Sequence, residues 1–469
     1  MISIPLGTVE IQAERQATRR AYIEALQAEV QRIVQVVVGR CLEAVIEAEV
    51  TAILGRQWYE KRDAVPRQAT PAAQCNRCQT HAAWLFSRDG HYPRQLGTHW
   101  GQIHFAMPQV TCECGGSVKM DYQTLRPRQR IWDDVEEAMR ERFGWGESLR
   151  AIKASLDRLI GSSLGLRTIN ERVHALATLV PPWRSRQEPA CPPVVRLDGL
   201  WVPQMQETGK YHTDALGRRR SVKSGTRRPL LVAQGVWPAS GRQEIVAWVL
   251  RDAEGREDWL ALLNQMWDRG IRPQRGLKLL AADGSAGLPG AHQEVYWNVP
   301  LQRCVFHKLR NIWRALVVPP ELASKEAKAY KRRLIRSAAR VWQAARLSTA
   351  RERQTQWCLT WESEQPDAVA TMRRDFAATV TFYDVQAAAQ RRGLTWPATH
   401  LRTTSHIERL FRAVRRRIRQ AIVLHSPTGV LALAHQCFTR WAAGQATSLL
   451  ERTTWPRQLE RALAAPAIS

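Results

Sequence analysis

The chain has 469 residues, enough for roughly two to four domains, and an apolar fraction of 44%, ordinary for globular protein with true cores. Its 69 lysines and arginines against 43 acids leave a formal net charge of +26, which repels itself unless a polyanion is near, so nucleic acid is the expected partner. The sequence shows no run long and apolar enough for a membrane span and no signal peptide, and its nine cysteines are too few and too uneven for a disulfide framework. A cytoplasmic nucleic-acid protein with no membrane partner is expected.

In chain order, residues 1–65 form an amino-terminal helical region. Tyr22, Leu26, Val30, Ile33, Val37 and Cys41 recur at helical spacing, which predicts one or two amphipathic helices packed on the chain or on another copy.

Residues 66–125 hold two close thiol pairs, Cys75 with Cys78 and Cys112 with Cys114, around a strand-rich segment. Four such thiolates suit a closed tetrahedral site, which predicts a zinc-ribbon-like module stapled by structural Zn2+. His81, His91, His99 and His104 are alternative ligands.

Residues 126–180 read as a helix-turn-helix-like segment. An amphipathic helix over 148–160, a glycine-bearing turn at 161–165 and a second helix over 166–179 would offer Arg167, Asn170 and Arg172 to a DNA groove. The proline-rich stretch 180–193 reads as a linker.

From 190 to 318 the order of elements carries the reading. Two apolar strand-like runs, 194–202 and 277–282, each meet an Asp-Gly pair, at Asp198-Gly199 and at Asp283-Gly284. Either pair alone is as easily a turn, but between them lie strands over 229–237 and 244–250 and a helix over 257–267, and a strand near 299–305 follows. The first and fourth strands can then lie side by side with both aspartates at one rim. This predicts a multidomain α+β chain whose mixed α/β core is ribonuclease H-like. Such a core needs a third acid on a late helix.

Residues 319–398 are helical and basic and read as an insertion. The segment 399–425 then supplies a final helix on which Ile407, Leu410, Phe411 and Val414 make the buried face and Glu408 stands in the first turn. Arg412, Arg415 and Arg416 would run along a phosphate backbone, and Arg303, Lys308 and Arg310 would flank the site. Three carboxylates suit two hard Mg2+ or Mn2+ ions, Asp198 bridging and the others each holding mainly one. The helices over 426–469 carry no legible chemistry.

Asp198-Gly199, Asp283 in its Asp-Gly-Ser-Ala-Gly-Leu context, the block 302–311 with Cys304 and His307, and the run Ser405-His406-Ile407-Glu408-Arg409 together resemble the Mutator-like DDE transposases of bacterial insertion sequences. The resemblance spans residues 194–419. It implies a ribonuclease H-like fold with a helical insertion before the final glutamate, catalytic acids at Asp198, Asp283 and Glu408, and a supporting Cys-x-x-His pair at Cys304 and His307. It also implies cleavage at terminal inverted repeats, strand transfer into target DNA, and a homodimer or larger DNA-bound assembly at the bacterial nucleoid. A domesticated DNA-binding protein and a ribonuclease H-like nuclease are the alternatives.

Overall fold

A computed structural model describes residues 6–60, 69–160, 164–421 and 426–441. The chain divides into two compact units, one of Met1–Phe143 with Glu147–Arg172 and one of Gly144–Gly146 with Val173–Ser469.

In the first unit the amino-terminal region is one helix, α1 (Leu6–Leu54). Leu42, Ile46, Val50 and Leu54 recur every four residues on one face and bury against Phe86, Leu96, Ile103 and Phe105. These belong to a small sheet system of β1 (Ala73–Cys75), β2 (Phe86–Thr98), β3 (Gly101–Cys112) and β4 (Val118–Met120), in which β1 pairs β4 and β2 pairs β3. Gly39 has a local reason to lie within a helix: a Cβ there would stand 2.8 Å from the His104 carbonyl oxygen of β3. The earlier apolar positions Tyr22, Leu26, Val30, Ile33 and Val37 are exposed, so packing on the rest of the chain, one of the two expectations for them, does not occur among the described residues.

Helices α2 (Asp133–Trp145), α3 (Leu149–Ile160) and α4 (Leu166–His174) follow, with the turn at 161–163 outside the described residues. The second helix is shorter than the sequence predicts. It passes through a 3-10 turn, Ala175–Leu179, into α5 (Val180–Ser185), so the expected linker begins as helix. Pro181 and Pro182 sit in the first turn of α5, where a missing N–H costs no hydrogen bond. The division between units falls at Arg172, before the proline-rich stretch.

The second unit is built on a five-stranded sheet of β5 (Val194–Thr213), β6 (Arg219–Trp237), β7 (Arg242–Leu250), β8 (Leu279–Ala282) and β9 (Leu301–Arg303). Its order is β7-β6-β5-β8-β9, antiparallel across β7-β6-β5 and parallel across β5-β8-β9. Side chains alternate between faces, so Val195 and Leu197 of β5 pack with Trp259, Leu262, Leu263 and Met266 of α6 (Arg256–Asp268) and Ala291 of α7 (Leu288–Val295). Val194 and Leu279 point the other way. They join a second core with α8 (Val305–Ala315) and the helical insertion: α9 (Ser324–Ala339), α10 (Leu347–Trp361), α11 (Pro366–Arg373), α12 (Phe376–Thr379) and α13 (Phe382–Gln390). Two further helices, α14 (Ala398–Leu401) and α15 (Ser405–Ala421), return the chain to the sheet. Residues 427–441 are helical, and the rest of the carboxy-terminal helices read over 426–469 lies outside the described residues.

β5 and β6 are far longer than the runs 194–202 and 229–237. Residues 203–228 are polar and glycine-bearing, without the period-two apolar pattern that marks a half-buried strand, yet they pair as a ribbon. The ribbon is closed by its turn: the Asp214 carboxylate accepts the Leu216 and Arg218 amides, and Gly217 takes a φ of 74°.

Arg196 holds the return of the chain. Fully buried on β5, it donates to the Gln234 and Gln243 side-chain oxygens at 3.3 and 3.2 Å and to the His400 carbonyl of α14 at 3.1 Å. Arg196→Ala leaves these acceptors buried without a donor. It should cost about 3 kcal/mol, read as a lower urea midpoint.

Candidate active site

β5 and β8 run parallel in register, with Leu197 opposite Ala282. Asp198 and Asp283 are the next residues on each, so they leave adjacent strands at the same rim, roughly 4.8 Å being the usual strand spacing. The Gly199 amide donates to Asp198 Oδ1 at 2.8 Å and the Ser285 amide to Asp283 Oδ1 at 3.1 Å; Asp283 is aimed by the turn after β8, whereas β5 continues straight through Asp198-Gly199, paired with β6, so the turn expected there does not form. Trp259 Nε1 donates to Ser285 Oγ at 3.0 Å and ties the second turn to α6.

The third acid arrives through long-range anchors. Ile407, Leu410, Phe411 and Val414 are buried, which sets the rotation of α15. At its start, Cys304 joins three elements. Its amide donates to the Ala282 carbonyl at the end of β8, and its sulfur accepts the Thr404 amide and hydroxyl, each at 3.3 Å. One turn along α8, His307 Nε2 lies 3.2 Å from Glu408 Oε1. The Cys-x-x-His spacing thus puts one side chain on the residue before α15 and the other on the acid that α15 carries.

The electrostatics follow. Burial, then the charge of Asp283, pushes the Asp198 carboxyl well above its ordinary value, with Glu408 and Glu254 adding to the rise and the Gly199 amide opposing it. Burial and the nearby Arg310 lower the pKa of His307, against the opposing pull of Asp283 and Glu408. A buried group of like charges that repel one another is the environment in which oxygen-loving divalent ions fit.

Glu254 is a fourth acid that the sequence reading missed. It lies between β7 and α6 in a loop with no periodicity, and only the fold brings it to the rim. A Cβ at Gly199 would stand 2.3 Å from Glu254 Oε1, so a glycine after Asp198 leaves room for this carboxylate. Its pKa is raised by burial and by Asp283.

The basic residues divide. Arg310, Arg412, Arg415 and Arg416 are all exposed. Lys308 is a correction: it is 3% exposed, its Nζ donates to the Arg374 carbonyl, and burial pulls its pKa down to about 8, so it is not placed to meet a phosphate. Arg303 pairs with Asp375 at 2.7 Å and covers Gly284. In the first unit Arg167 is exposed beside Glu171, Asn170 is half-buried, and Arg172 is tied to the buried Glu136 at 3.1 Å.

Cys75, Cys78, Cys112 and Cys114 lie with their sulfurs all within 4.8 Å of one another, a cluster that can hold a metal ion. The Arg77 amide points at Cys75 Sγ (3.4 Å), as in a metal-binding knuckle. The tighter second pair relies on its glycines, since Gly115 has a φ of 78° and a Cβ at Gly116 would meet Cys75 Sγ at 2.7 Å. Of the alternative histidines, His81 lies against the Ala73 carbonyl, His91 against Glu47 and His99 against Asp134, and among the described residues none of the four joins the cysteine cluster.

The profile of the family described as "Transposase, Mutator family" matches residues 9–435. The transposase for insertion sequence element IS406 of Burkholderia multivorans is 28% identical over 366 residues, covering 76% of this chain and 83% of that protein. The transposase for insertion sequence element ISRM5 of Rhizobium meliloti is 25% identical over 386 residues, covering 81% and 80%. Among solved structures, the Drosophila P element transposase strand transfer complex aligns with a TM-score of 0.41 and 9% identity over 71% of this chain and 94% of that one.

Unfolded, Asp198 titrates near its ordinary 3.8, whereas the folded carboxyl keeps its proton to higher pH. The folded state then binds more protons than the unfolded one above that value, so this group's contribution to stability falls as pH rises. In metal-free protein, Asp198→Asn should have a higher urea midpoint than wild type at pH 7, and the gap should close toward pH 4.

Proposed function

Because the chain belongs to the Mutator family of transposases, we propose that it cuts DNA at the ends of an insertion sequence and joins the freed 3'-hydroxyl to target DNA, with Asp198, Asp283 and Glu408 as its catalytic carboxylates. The observation that carries this reading is the meeting of three acids, scattered along the sequence, at one rim of a mixed sheet. The β7-β6-β5-β8-β9 order, three antiparallel strands followed by two parallel ones, supports a ribonuclease H-like core. The absence of a membrane-crossing helix among the described residues is consistent with a nucleoid-associated, cytoplasmic protein.

Two Mg2+ or Mn2+ ions bound by these acids would neutralise the charge that grows on the attacking and leaving oxygens of an in-line displacement. Asp198, whose carboxyl feels the charges of Asp283, Glu408 and Glu254, would be the central ligand. Asp283 and Glu408 flank it, and Glu254 adds an oxygen donor on the side that Gly199 leaves open. His307 orients Glu408, and Cys304 fixes where α15 begins. Both are positioning residues and neither acts as a nucleophile. Arg310, Arg412, Arg415 and Arg416 hold phosphates beside the cut, and Arg167 and Asn170 meet DNA from the helix-turn-helix-like segment. Arg303, released from Asp375, would serve the same phosphates.

Cys75, Cys78, Cys112 and Cys114 would hold a structural Zn2+. The homodimer is favoured by α1, where Ile23, Leu26, Val30, Ile33 and Val37 repeat at alternating three- and four-residue spacing and are all exposed, the pattern of a two-stranded coiled-coil seam.

Labelled insertion-sequence ends incubated with purified protein and Mg2+ should give nicked ends and strand-transfer products on a denaturing gel. Asp198→Ala should reduce both by roughly a thousandfold or more while DNA affinity barely changes. Binding without cleavage would leave a DNA-binding protein, and cleavage without joining a nuclease. The purified chain should carry about one zinc by elemental analysis. Cys78→Ser should lower that content and the stability of the first unit.

A further inference from the structure

We propose that the free-standing arm formed by residues 203–213 and 219–228 is a DNA-binding ribbon that lies in a groove of the duplex running away from the cut. Its location beside the cut rests on the catalytic reading of Asp198. Its binding of DNA does not.

The sheet pairings set the arm apart. β8 pairs with β5 only over Val194–Leu197, and β7 pairs with β6 only from Leu230 onward. Beyond those points the two strands pair with each other alone, from Val202 opposite Arg228 to Thr213 opposite Arg219. At its base Val202 and Gln204 are still buried, but from Gln206 to Thr213 every residue of the first strand is exposed, and a two-stranded ribbon of that kind is marginal in water, so its length calls for a partner.

Its charge says which partner. Lys210, Arg218, Arg219, Arg220, Lys223 and Arg227 are exposed, against only two acids on the arm, Glu207 and Asp214. Asp214 accounts for Arg218 and Arg220 at 3.0 Å each, and Glu207 reaches Lys223 only at 3.9 Å. Lys210, Arg219 and Arg227 have no salt bridge among the described residues. Arg219 instead lies over the Tyr211 ring with its guanidinium 4.0 Å from the centroid, a flat cation held in place at low entropic cost. Charged side chains also keep exposed strand edges from pairing with other chains, but a few on one edge suffice for that, and here they stand on both strands.

The dimensions fit as well. At roughly 3.3 Å per residue the arm spans about 35 Å, close to one helical turn of duplex. A two-stranded ribbon also matches the width of the major groove, about 12 Å. At the tip, Leu216 is 73% exposed, an apolar contact offered to bases beyond the basic collar of Arg218 to Arg220. The arm continues the strand that carries Asp198, leaving the sheet at the rim where the acids meet, so a duplex cut there has the arm alongside it.

The test uses the full-length chain in metal-free buffer, with fluorescence anisotropy on a labelled duplex of about 40 base pairs across a series of KCl concentrations. Each lost phosphate contact should flatten the plot of log affinity against log salt by about 0.9. The triple variant Arg219→Ala, Lys223→Ala, Arg227→Ala should bind at least tenfold more weakly at 0.1 M salt and lose about two to three units of slope, with thermal unfolding unchanged because these side chains are exposed. A second variant, with residues 207–223 replaced by Asn-Gly, should lose at least as much. An unchanged slope in both variants overturns the proposal. So does a loss of self-association in sedimentation with DNA affinity intact, which would make the arm a contact between copies. If the arm variants lose binding and Asp198→Ala leaves cleavage intact, the ribbon stands and the catalytic assignment falls.

Discussion

The second unit depends on an unfavourable arrangement: a carboxylate buried within β5, one residue past the end of its pairing with β8, with other acids brought up against it. Burial and like charge both oppose ionisation of Asp198, and nothing in the hydrophobic packing requires an acid there. The fold keeps the arrangement by fixing each acid through its own neighbours. Asp198 is aimed by the Gly199 amide, Asp283 by the turn that follows it, and Glu408 by His307. Strain of this kind at one point is tolerable because two extensive cores, one on each face of the sheet, stabilise everything around it.

The insertion of helices between β9 and α15 makes the third acid the hardest to place. The chain leaves the sheet at Arg303 and returns only at α14. Two buried polar side chains close that excursion. Arg196, two residues before Asp198, donates to the carbonyls of α14, and Cys304, one residue after β9, accepts from Thr404. Hydrogen bonds of this sort are directional and costly to leave unmade, so they fix the register of α15 where hydrophobic contact alone would allow it to slide.

The first unit solves a different problem. Its two-stranded sheets are too small to bury much, so its order comes from α1 laid across β3 and from four thiols gathered at the two knuckles. Two features on the outside of the molecule have no folding role in the monomer: the apolar seam on the early half of α1 and the basic arm of β5 and β6. Each has the chemistry of a partner's surface, helix for the first and polyanion for the second.

What the sequence determined by itself lies where pattern is local. The strand runs at 229–237 and 244–250, the helix near 257–267, the paired cysteines and the apolar face of α15 could all be read because apolar period and turn residues report short-range geometry. So could the candidate acids Asp198 and Asp283, since an aspartate at the end of a buried strand is visible in a window of ten residues. Only the tertiary structure decided the rest. Lys308 reads as a phosphate contact but packs inward. Glu254 reads as nothing and arrives at the rim, and residues 203–228, which carry no strand pattern, form a ribbon. In each case the deciding interaction joins residues far apart in the chain, a backbone ladder, a buried carbonyl or a neighbouring charge, and no local pattern encodes a partner that folding alone brings near.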